Sequence, residues 1–282
     1  MKKVLNLFLL VTLLAGILAG CGGSSEKSST SASADKKDTL QKAKEKGVLV
    51  VGSSNDAPFA YIDKDTKEFT GIDAEIIKEV AKRLGIPKVE MKEVKFENLL
   101  LELNNGSIDM VTDGMYRKPE REKIALFTDI WYQQGEALVV PKDSTIKGIE
   151  DLKGKKVGAQ KGVTFLELAQ NLQKEGKIGS VEIYGSSADL LLAANTGKID
   201  ATLTDGVVAA YTIKQDPTLS LKIVSPYKAQ ATGKIAASAR KEDKTLVEAV
   251  NKEMAKMKED GFILEVLKKY GLNEDYVYEE KE

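Results

Sequence analysis

The residue pattern predicts an α/β protein folded as two lobes, with mostly parallel sheets flanked by helices and a ligand cleft between the lobes. Two observations support this class. Short apolar segments that end in glycine alternate with amphipathic segments of helical period over residues 38–282, which is typical of parallel sheets covered by helices. A stretch in the first half of the chain also recurs in the second half, which indicates two units of similar construction.

The beginning of the chain has the pattern of an export signal. A pair of lysines precedes an apolar run over residues 4–18 that ends in small residues, and this order is typical of a signal peptide, here residues 1–20. The Leu-Ala-Gly-Cys stretch that ends at Cys21 resembles the bacterial lipoprotein signal, which implies lipid modification of Cys21. A plain cleaved signal with an incidental thiol is the alternative. Residues 21–37 have too little apolar surface to order, so we expect a flexible tether.

Strands and helices alternate after the tether. Apolar runs ending in glycine predict strands at residues 49–51 and 156–159, and amphipathic periodicity predicts helices at residues 73–84, 164–174 and 205–214. Because ligands bind beyond the carboxyl ends of parallel strands, the cleft is expected where those ends face each other.

The internal repeat joins residues 98–109 to residues 189–200. Both copies contain three consecutive leucines followed by an Asn-x-Gly-x-Ile-Asp pattern, and after one inserted residue Thr-Asp-Gly at 112–114 matches Thr-Asp-Gly at 204–206. Each copy predicts a helix closed by glycine, then a short buried strand, then a loop. Two related lobes explain the repeat, with convergence of a helix-strand unit as the alternative.

The lobe boundaries follow from two apolar segments that can carry the chain across. Residues 136–140 are the candidate first crossing and residues 234–239 the candidate return. One lobe then comprises residues 38–137 plus 235–282, and the other residues 138–234.

Composition excludes several classes of protein. The formal net charge is −1 with no basic stripe, which argues against nucleic-acid binding. The chain has no histidine and one cysteine, which removes Ser-His-Asp and Cys-His catalysis, histidine-ligated metals and an intramolecular disulfide. We therefore expect no metal and no cofactor.

Several motifs together resemble the family 3 bacterial extracellular solute-binding proteins. They are Asp-Ala-Pro-Phe at 56–59, the Gly-Ile-Asp-Ala-Glu helix start at 71–75, Lys-Pro-Glu-Arg at 118–121 and Asp-Leu-Lys-Gly at 151–154. The resemblance extends from about residue 40 to residue 271. It implies a type II periplasmic-binding-protein fold and a protein that is not an enzyme but delivers a small amino-acid-like ligand to an ABC permease and its ATPase. It also implies a monomer outside the cytoplasm, held at the membrane by its lipid alone.

The resemblance carries a set of ligand contacts with it. Arg121 occupies the position whose guanidinium clamps the ligand carboxylate, and a bidentate fork suits that role. Backbone amides near Thr112 and Gly114, and near Val163 and Thr164, complete the carboxylate site. The alternative for Arg121 is a surface arginine paired with a neighbouring glutamate.

The cationic end of the ligand is assigned to two acids. Asp205 aligns with the acid that receives the ligand ammonium, with helix N-capping as its alternative. Amino-acid binders usually have an aromatic residue just before the Pro-Phe of the first loop, where this chain has Ala57. The loop is more similar to that of ectoine-binding relatives, with Asp56 in the place of their glutamate. Asp56 organising its own turn is the alternative there.

Aromatic residues complete the predicted site. Phe59, Phe96 and Tyr116 occupy positions that line the slot in relatives, with core packing as the alternative. Trp131 and Tyr132 precede the first crossing and could form a pocket wall or hinge packing. Two rival functions remain open from the sequence: a cyclohexadienyl dehydratase on the same fold, and a sensor acting through a separate membrane protein.

Overall fold

A computed structural model of the chain describes residues 38–278. The strands are β1 Val48–Ser53, β2 Tyr61–Ile62, β3 Phe69–Thr70, β4 Lys88–Glu93, β5 Met110–Val111, β6 Leu126–Phe127, β7 Tyr132–Gln134, β8 Glu136–Pro141, β9 Lys156–Gln160, β10 Ser180–Tyr184, β11 Ala201–Asp205, β12 Leu221–Ile223, β13 Gly233–Ile235 and β14 Ser238–Ala239. The α-helices are α1 Thr39–Lys46, α2 Ile72–Arg83, α3 Leu99–Asn104, α4 Pro119–Glu122, α5 Thr164–Lys174, α6 Ser187–Asn195, α7 Gly206–Gln215, α8 Lys244–Glu259 and α9 Phe262–Lys269. The predicted signal at 1–20, Cys21 and the tether at 21–37 lie outside the described residues.

Local sequence determines where the helices begin and end. The carboxylate of Asp38 accepts a hydrogen bond from Gln41 N at 2.7 Å and caps α1, which ends at Gly47 with a φ of 69°. The predicted helices at 73–84, 164–174 and 205–214 are observed as α2, α5 and α7, to within one residue at each end. One face of α2 is buried against the sheet, as its apolar spacing predicts.

Two five-stranded sheets share one topology. The strand order is β4-β1-β5-β14-β6 in the first and β10-β9-β11-β8-β12 in the second. In each sheet the first three strands are parallel, whereas β14 and β8 are antiparallel to their neighbours. The two-lobed α/β class predicted from the sequence is confirmed.

The sheets are mixed where the sequence predicts mostly parallel ones, and the difference has a topological reason. β8 and β14 are the strands by which the chain enters each sheet after leaving the other. Each of them starts at the side of the sheet where the carboxyl ends of the parallel strands lie. It must therefore run antiparallel to those strands.

A two-stranded ribbon connects the sheets. β7 pairs antiparallel with β13, with Tyr132 opposite Ile235 and Gln134 opposite Gly233. Next to it, Trp131 is fully buried and its backbone N donates to Ile235 O at 2.8 Å. The first crossing is therefore at β7, and the apolar segment 136–140 proposed for it is instead a buried strand, β8, paired on both sides within the second sheet.

The internal repeat has the same structure in both copies. Asp109 Oδ2 accepts from Val50 N at 3.0 Å, and Asp200 Oδ2 accepts from Lys156 N at 2.8 Å. Each aspartate thus ties the start of its own strand to the neighbouring parallel strand. Within residues 38–278, no helix combines the length and apolar composition needed to cross a bilayer.

Candidate ligand-binding cleft

A cavity lies between the carboxyl ends of the parallel strands of the two sheets. Its lining residues are Asp56, Phe59, Phe96, Asp113, Gly114, Tyr116, Arg121, Val163, Thr164, Phe165 and Asp205. Residues before the ribbon come from the first sheet, and Val163 to Asp205 come from the second. The structure thus brings together all of the predicted site residues except Thr112, and it adds Asp113 and Phe165.

Arg121 lies on α4 and connects the two sides of the cavity. Its Nη1 donates to Tyr116 O at 2.8 Å and its Nη2 donates to Gly162 O at 3.0 Å, across the lobe boundary. The guanidinium carbon lies 5.5 Å from the centre of the Phe96 ring. Burial lowers the pKa of Arg121 from its ordinary value. This is not the surface arginine of the alternative interpretation.

Asp205 ends β11 and precedes α7, but its side chain makes no capping hydrogen bond to that helix. Its Oδ1 instead accepts a short hydrogen bond from Gln134 Nε2 of the ribbon. Burial, with a smaller contribution from the charge of Asp56, raises the pKa of Asp205 to about 7. The geometry favours a side chain of Asp205 that is oriented by Gln134 at the cavity over one that caps α7.

Asp56 contacts the opposite lobe. Its Oδ2 lies 2.7 Å from Ser187 Oγ at the start of α6, and the same hydroxyl lies 2.8 Å from Gln160 Oε1. Burial raises the pKa of Asp56 to about 6. A hydroxyl has one hydrogen, so a protonated Asp56 can donate to Ser187 while Ser187 donates to Gln160. The carboxylate therefore contacts the second lobe, although the backbone of Asp56 also forms a turn with Phe59.

The two backbone amides of the first lobe that were predicted to bind the ligand already donate hydrogen bonds within the protein. Gly114 N donates to Asp73 Oδ2 at 2.7 Å, and Thr112 N donates to Gly52 O at 3.2 Å. Thr112 is fully buried, and its Oγ1 has no hydrogen-bond partner among the described residues. Thr164, the first residue of α5, likewise has a buried Oγ1 without a partner in the described part of the chain. Of the two hydroxyls, that of Thr164 belongs to a residue lining the cavity, so it is more available to a ligand than the amides of Thr112 and Gly114.

The aromatic residues of the cavity are also core residues. Phe59, Phe96 and Tyr116 are exposed by 2%, 9% and 5%, so lining and packing are both true of them. The Tyr116 ring meets that of Phe165 edge-on, with centres 5.7 Å apart. A ligand in the cavity would therefore contact aromatic rings whose positions are already fixed by packing.

Trp131 and Tyr132 belong to the hinge and do not line the cavity. Both are fully buried, and Tyr132 OH donates to Asp73 Oδ1 at 2.7 Å. Because Asp73 also holds Gly114, the ribbon is tied to the loop below the cavity. Hinge packing is the better of the two interpretations for this pair.

Three further contacts close the lobes around the cavity. They are the ion pairs Lys118–Glu167 at 2.6 Å and Lys161–Glu97 at 3.1 Å, and the hydroxyl pair Tyr61–Tyr211 at 2.8 Å. Each joins the first sheet's side to the second's. Exposed ion pairs contribute little individually.

Sequence reasoning missed Asp113, Phe165 and Gln134. Asp113 had a signal, because the repeat pairs it with Asp205. Phe165 follows Thr164 at the helix start, whereas nothing in the sequence distinguishes Gln134 from its neighbour Gln133. In the described part of the chain, no group of three or more acidic or cysteine side chains is placed to hold a metal ion.

Comparison with known proteins gives consistent results. The family described as bacterial extracellular solute-binding proteins, family 3, matches residues 49–273. The L-cystine-binding protein TcyA of Bacillus subtilis (strain 168) is 34% identical over 274 residues, which cover 95% of this chain and 97% of that protein. An ancestral arginine-binding protein bound to arginine superposes with a TM-score of 0.73 at 33% identity, covering 80% of this chain and 98% of the other.

A second solved structure bears on the enzyme alternative. The ancestral amino acid-binding protein AncCDT-1, described as a precursor of cyclohexadienyl dehydratase, superposes with a TM-score of 0.71 at 31% identity. It covers 83% of this chain and 99% of that one. The fold is thus similar both to amino-acid binders and to an ancestor of an enzyme.

Proposed function

The chain belongs to the family 3 bacterial extracellular solute-binding proteins, and from that premise we propose that it captures a small amino acid or amino-acid-like solute for an ABC importer. The observation that carries the proposal is one cavity combining the guanidinium of Arg121 with the carboxyl groups of Asp56 and Asp205. A zwitterion matches this arrangement, because its carboxylate and its cation need opposite partners.

The carboxylate end of the ligand binds Arg121 and the hydroxyl of Thr164. In the structure the guanidinium donates to two backbone carbonyls, which a ligand carboxylate can replace with stronger, charge-assisted bonds. Gly114 and Val163 form the surrounding wall, and Thr112 lies buried behind it. The Gly162 carbonyl belongs to the second lobe, so this exchange alters a contact between the lobes.

Binding is coupled to closure of the two lobes. The bounds expected from the sequence, 38–137 plus 235–282 and 138–234, are revised at the first crossing, because β8 from Glu136 onward belongs to the second sheet. A ligand shifts the equilibrium only by binding the closed form more tightly than the open one. Arg121 and Asp56 belong to the first lobe and Asp205 to the second, so a single ligand has partners in both. The ribbon of β7 and β13 is the hinge.

Delivery takes place outside the cytoplasm. The protein is proposed to be a monomer, anchored at the outer face of the membrane by a lipid on Cys21 and recognised in its closed form by a permease with its ATPase. Replacing Cys21 by alanine should release the protein from the membrane fraction. Retention of the Cys21→Ala protein would contradict the anchor.

The names of the relatives and the residues of the cavity narrow the class of ligand. Relatives named for cystine and arginine favour an amino acid. Asp56 in the first loop, where ectoine-binding relatives have the longer glutamate, favours a compact cyclic or methylated cation as the second candidate. Asp205 is aligned for the first ligand class and Asp56 for the second.

Thermal unfolding against a panel of amino acids, ectoines and betaines tests the proposal, because a ligand that binds only the folded state raises its apparent stability. We expect an upward shift with at least one zwitterion that is lost in the Arg121→Ala protein. Absence of a shift across the panel would contradict it. Incubation with prephenate or arogenate, in which we expect no aromatic product, tests the binding role against the enzyme.

A further inference from the structure

Among the described residues of the β7–β13 ribbon, Gln134 is the one whose side chain contacts Asp205, the acid of the second lobe. It ends β7 and is exposed by only 5%. Its Nε2 donates to Asp205 Oδ1, while Tyr116 OH donates to its backbone O at 3.3 Å. Two cavity-lining residues therefore contact Gln134 from different sides.

The other half of the Gln134 carboxamide is unsatisfied. Its Oε1 is buried and has no hydrogen-bond partner among residues 38–278. Buried amide oxygens are nearly always paired in folded proteins, and leaving one unpaired is unfavourable. Because Oε1 and Nε2 belong to one planar group, the unsatisfied oxygen lies beside the Asp205 carboxylate.

Other buried groups that also lack a partner in the described region are the indole N–H of Trp131 and the hydroxyls of Thr112, Thr164 and Ser238. None of them is hydrogen-bonded to Gln134. Gln134 also borders a second cavity at the ribbon. The Asp205 carboxyl group that its Nε2 contacts lines the ligand cavity, so a cationic group paired with Asp205 is a donor that could reach Oε1.

We propose that Gln134 is a specificity-determining residue of the ligand site. It orients Asp205 through Nε2 and accepts an N–H from the cationic group of the ligand through Oε1. The inference rests on the proposed function and deepens it, because it names the cation. A primary ammonium or a guanidinium can donate to Asp205 and to Gln134 together, whereas a quaternary ammonium has no N–H to donate.

The substitution Gln134→Leu tests this proposal in the full-length protein. The measurement is the dissociation constant, by calorimetry, of the amino acid that the parent protein binds best and of its N,N,N-trimethyl derivative. We expect Gln134→Leu to weaken the amino acid about 10- to 100-fold, as loss of a hydrogen bond to a charged group does. Affinity for the trimethyl derivative should fall by a smaller factor, because that ligand loses only the orientation of Asp205 and no hydrogen bond of its own.

Gln133→Leu is the matched control. Gln133 is the preceding residue of the same strand, and its Nε2 donates to Asp275 O at 3.1 Å and not to Asp205. We expect its affinities to equal those of the parent. Gln134→Met is a second variant of similar length, and the unfolding temperature of each ligand-free variant checks that it folds.

Equal weakening of both ligands by Gln134→Leu would assign the residue a structural role and overturn the proposal. A parent protein that binds only quaternary cations would also overturn it, while leaving the proposed function intact. If the parent binds no zwitterion at all, the proposed function itself fails, and the two failures are thereby distinguished.

Discussion

The two copies of the internal repeat agree in their framework and differ at their last acid. In both lobes a strand glycine allows the repeat to pack closely. A Cβ built on Gly52 would lie 2.4 Å from Ile108 Cδ1, and one on Gly158 would lie 2.5 Å from Ile199 Cδ1. Since Ile108 and Ile199 are equivalent positions of the repeat, the same contact is formed twice.

The acids that end the two copies have different partners. Asp113 Oδ2 accepts from Ser54 N at 2.8 Å and from Ser54 Oγ at 2.5 Å, and its Oδ1 lies 2.8 Å from Ser53 Oγ. All of these contacts lie within the first lobe. Asp205 instead contacts Gln134 of the hinge. The two copies thus share their framework, while the final acid holds a loop in the first lobe and, in the function that we propose, binds the ligand in the second.

The largest effect is expected from replacing these two acids by alanine. Asp205→Ala should weaken an amino-acid ligand about 100-fold, because a buried charge partner is lost, and leave the unfolding free energy of the ligand-free protein unchanged or higher. Asp113→Ala should lower that free energy by about 2 kcal/mol, since several buried hydrogen bonds are broken. Calorimetry and denaturant unfolding measure the two quantities.

An internal control is available at the first of these acids. Burial raises the pKa of Asp113 well above its ordinary value. Ser53 Oγ can give its one hydrogen to Ala60 O, so its contact with Asp113 Oδ1 can take a donor on residue 113, which an asparagine amide supplies. Asp113→Asn should therefore be tolerated. If Asp113→Ala and Asp205→Ala had the same effects on affinity and stability, the division of roles between the lobes would be refuted.

An intermediate effect is expected at the paired glycines. Gly52→Ala and Gly158→Ala should each lower the unfolding free energy by about 1–3 kcal/mol, as overpacking of a core does. Gly148 is the control, because a Cβ there meets nothing within 4 Å and its φ is −177°. Urea unfolding of the three variants sharpens the comparison. A large cost in only one lobe would show that the two frameworks are not equivalent.

The smallest effect is expected from pH. With the pKa of Asp205 raised to about 7, most of this acid is neutral at pH 6 in the free protein, and a cationic ligand requires it ionised. The dissociation constant should therefore fall about 10-fold between pH 6 and pH 8, one unit either side of that pKa. Titration calorimetry across this range should show the dependence largely removed in Asp205→Asn.

Stability of the ligand-free protein should change with pH in the opposite sense. A carboxyl group whose pKa is raised by folding binds more protons in the folded state, so its contribution is present below the unfolded pKa and is lost as pH rises through the folded one. For Asp56, Asp73 and Asp205 the folded pKa values are about 6, 6 and 7. These groups should make unfolding easier as pH rises from about 4 to about 7.

Much of the architecture could be predicted because it follows from the spacing of apolar residues and from the internal repeat. Helices α2, α5 and α7 follow from apolar spacing, and the two-lobed plan follows from the repeat of residues 98–109 at 189–200. The mixed sheets were not predictable, because strand direction depends on where the chain re-enters a sheet. The apolar run at 136–140 has the composition of any buried strand and does not reveal its neighbours.

The site residues also fall into a group that the sequence predicted and a group that it did not. The residues carried by motifs, such as Arg121, lie at the cavity, because the motif and the loop geometry are one feature. Gln134 was missed since its role arises from a contact with Asp205, 71 positions away in the chain. The Gly114 amide was assigned to the ligand because a sequence does not show that Asp73 already accepts from it.

The protein contains an intrinsic fluorescence probe beside the ribbon that we propose as the hinge. Trp131 is the only tryptophan in the chain, and it lies buried where the two strands of the hinge ribbon meet. The emission of an indole depends on the dipoles and quenchers around it, and those around Trp131 belong to the ribbon that we propose as the hinge. With closure as proposed, intrinsic fluorescence should follow the hinge without a label, and its change on mixing with a ligand should report the rate of closure.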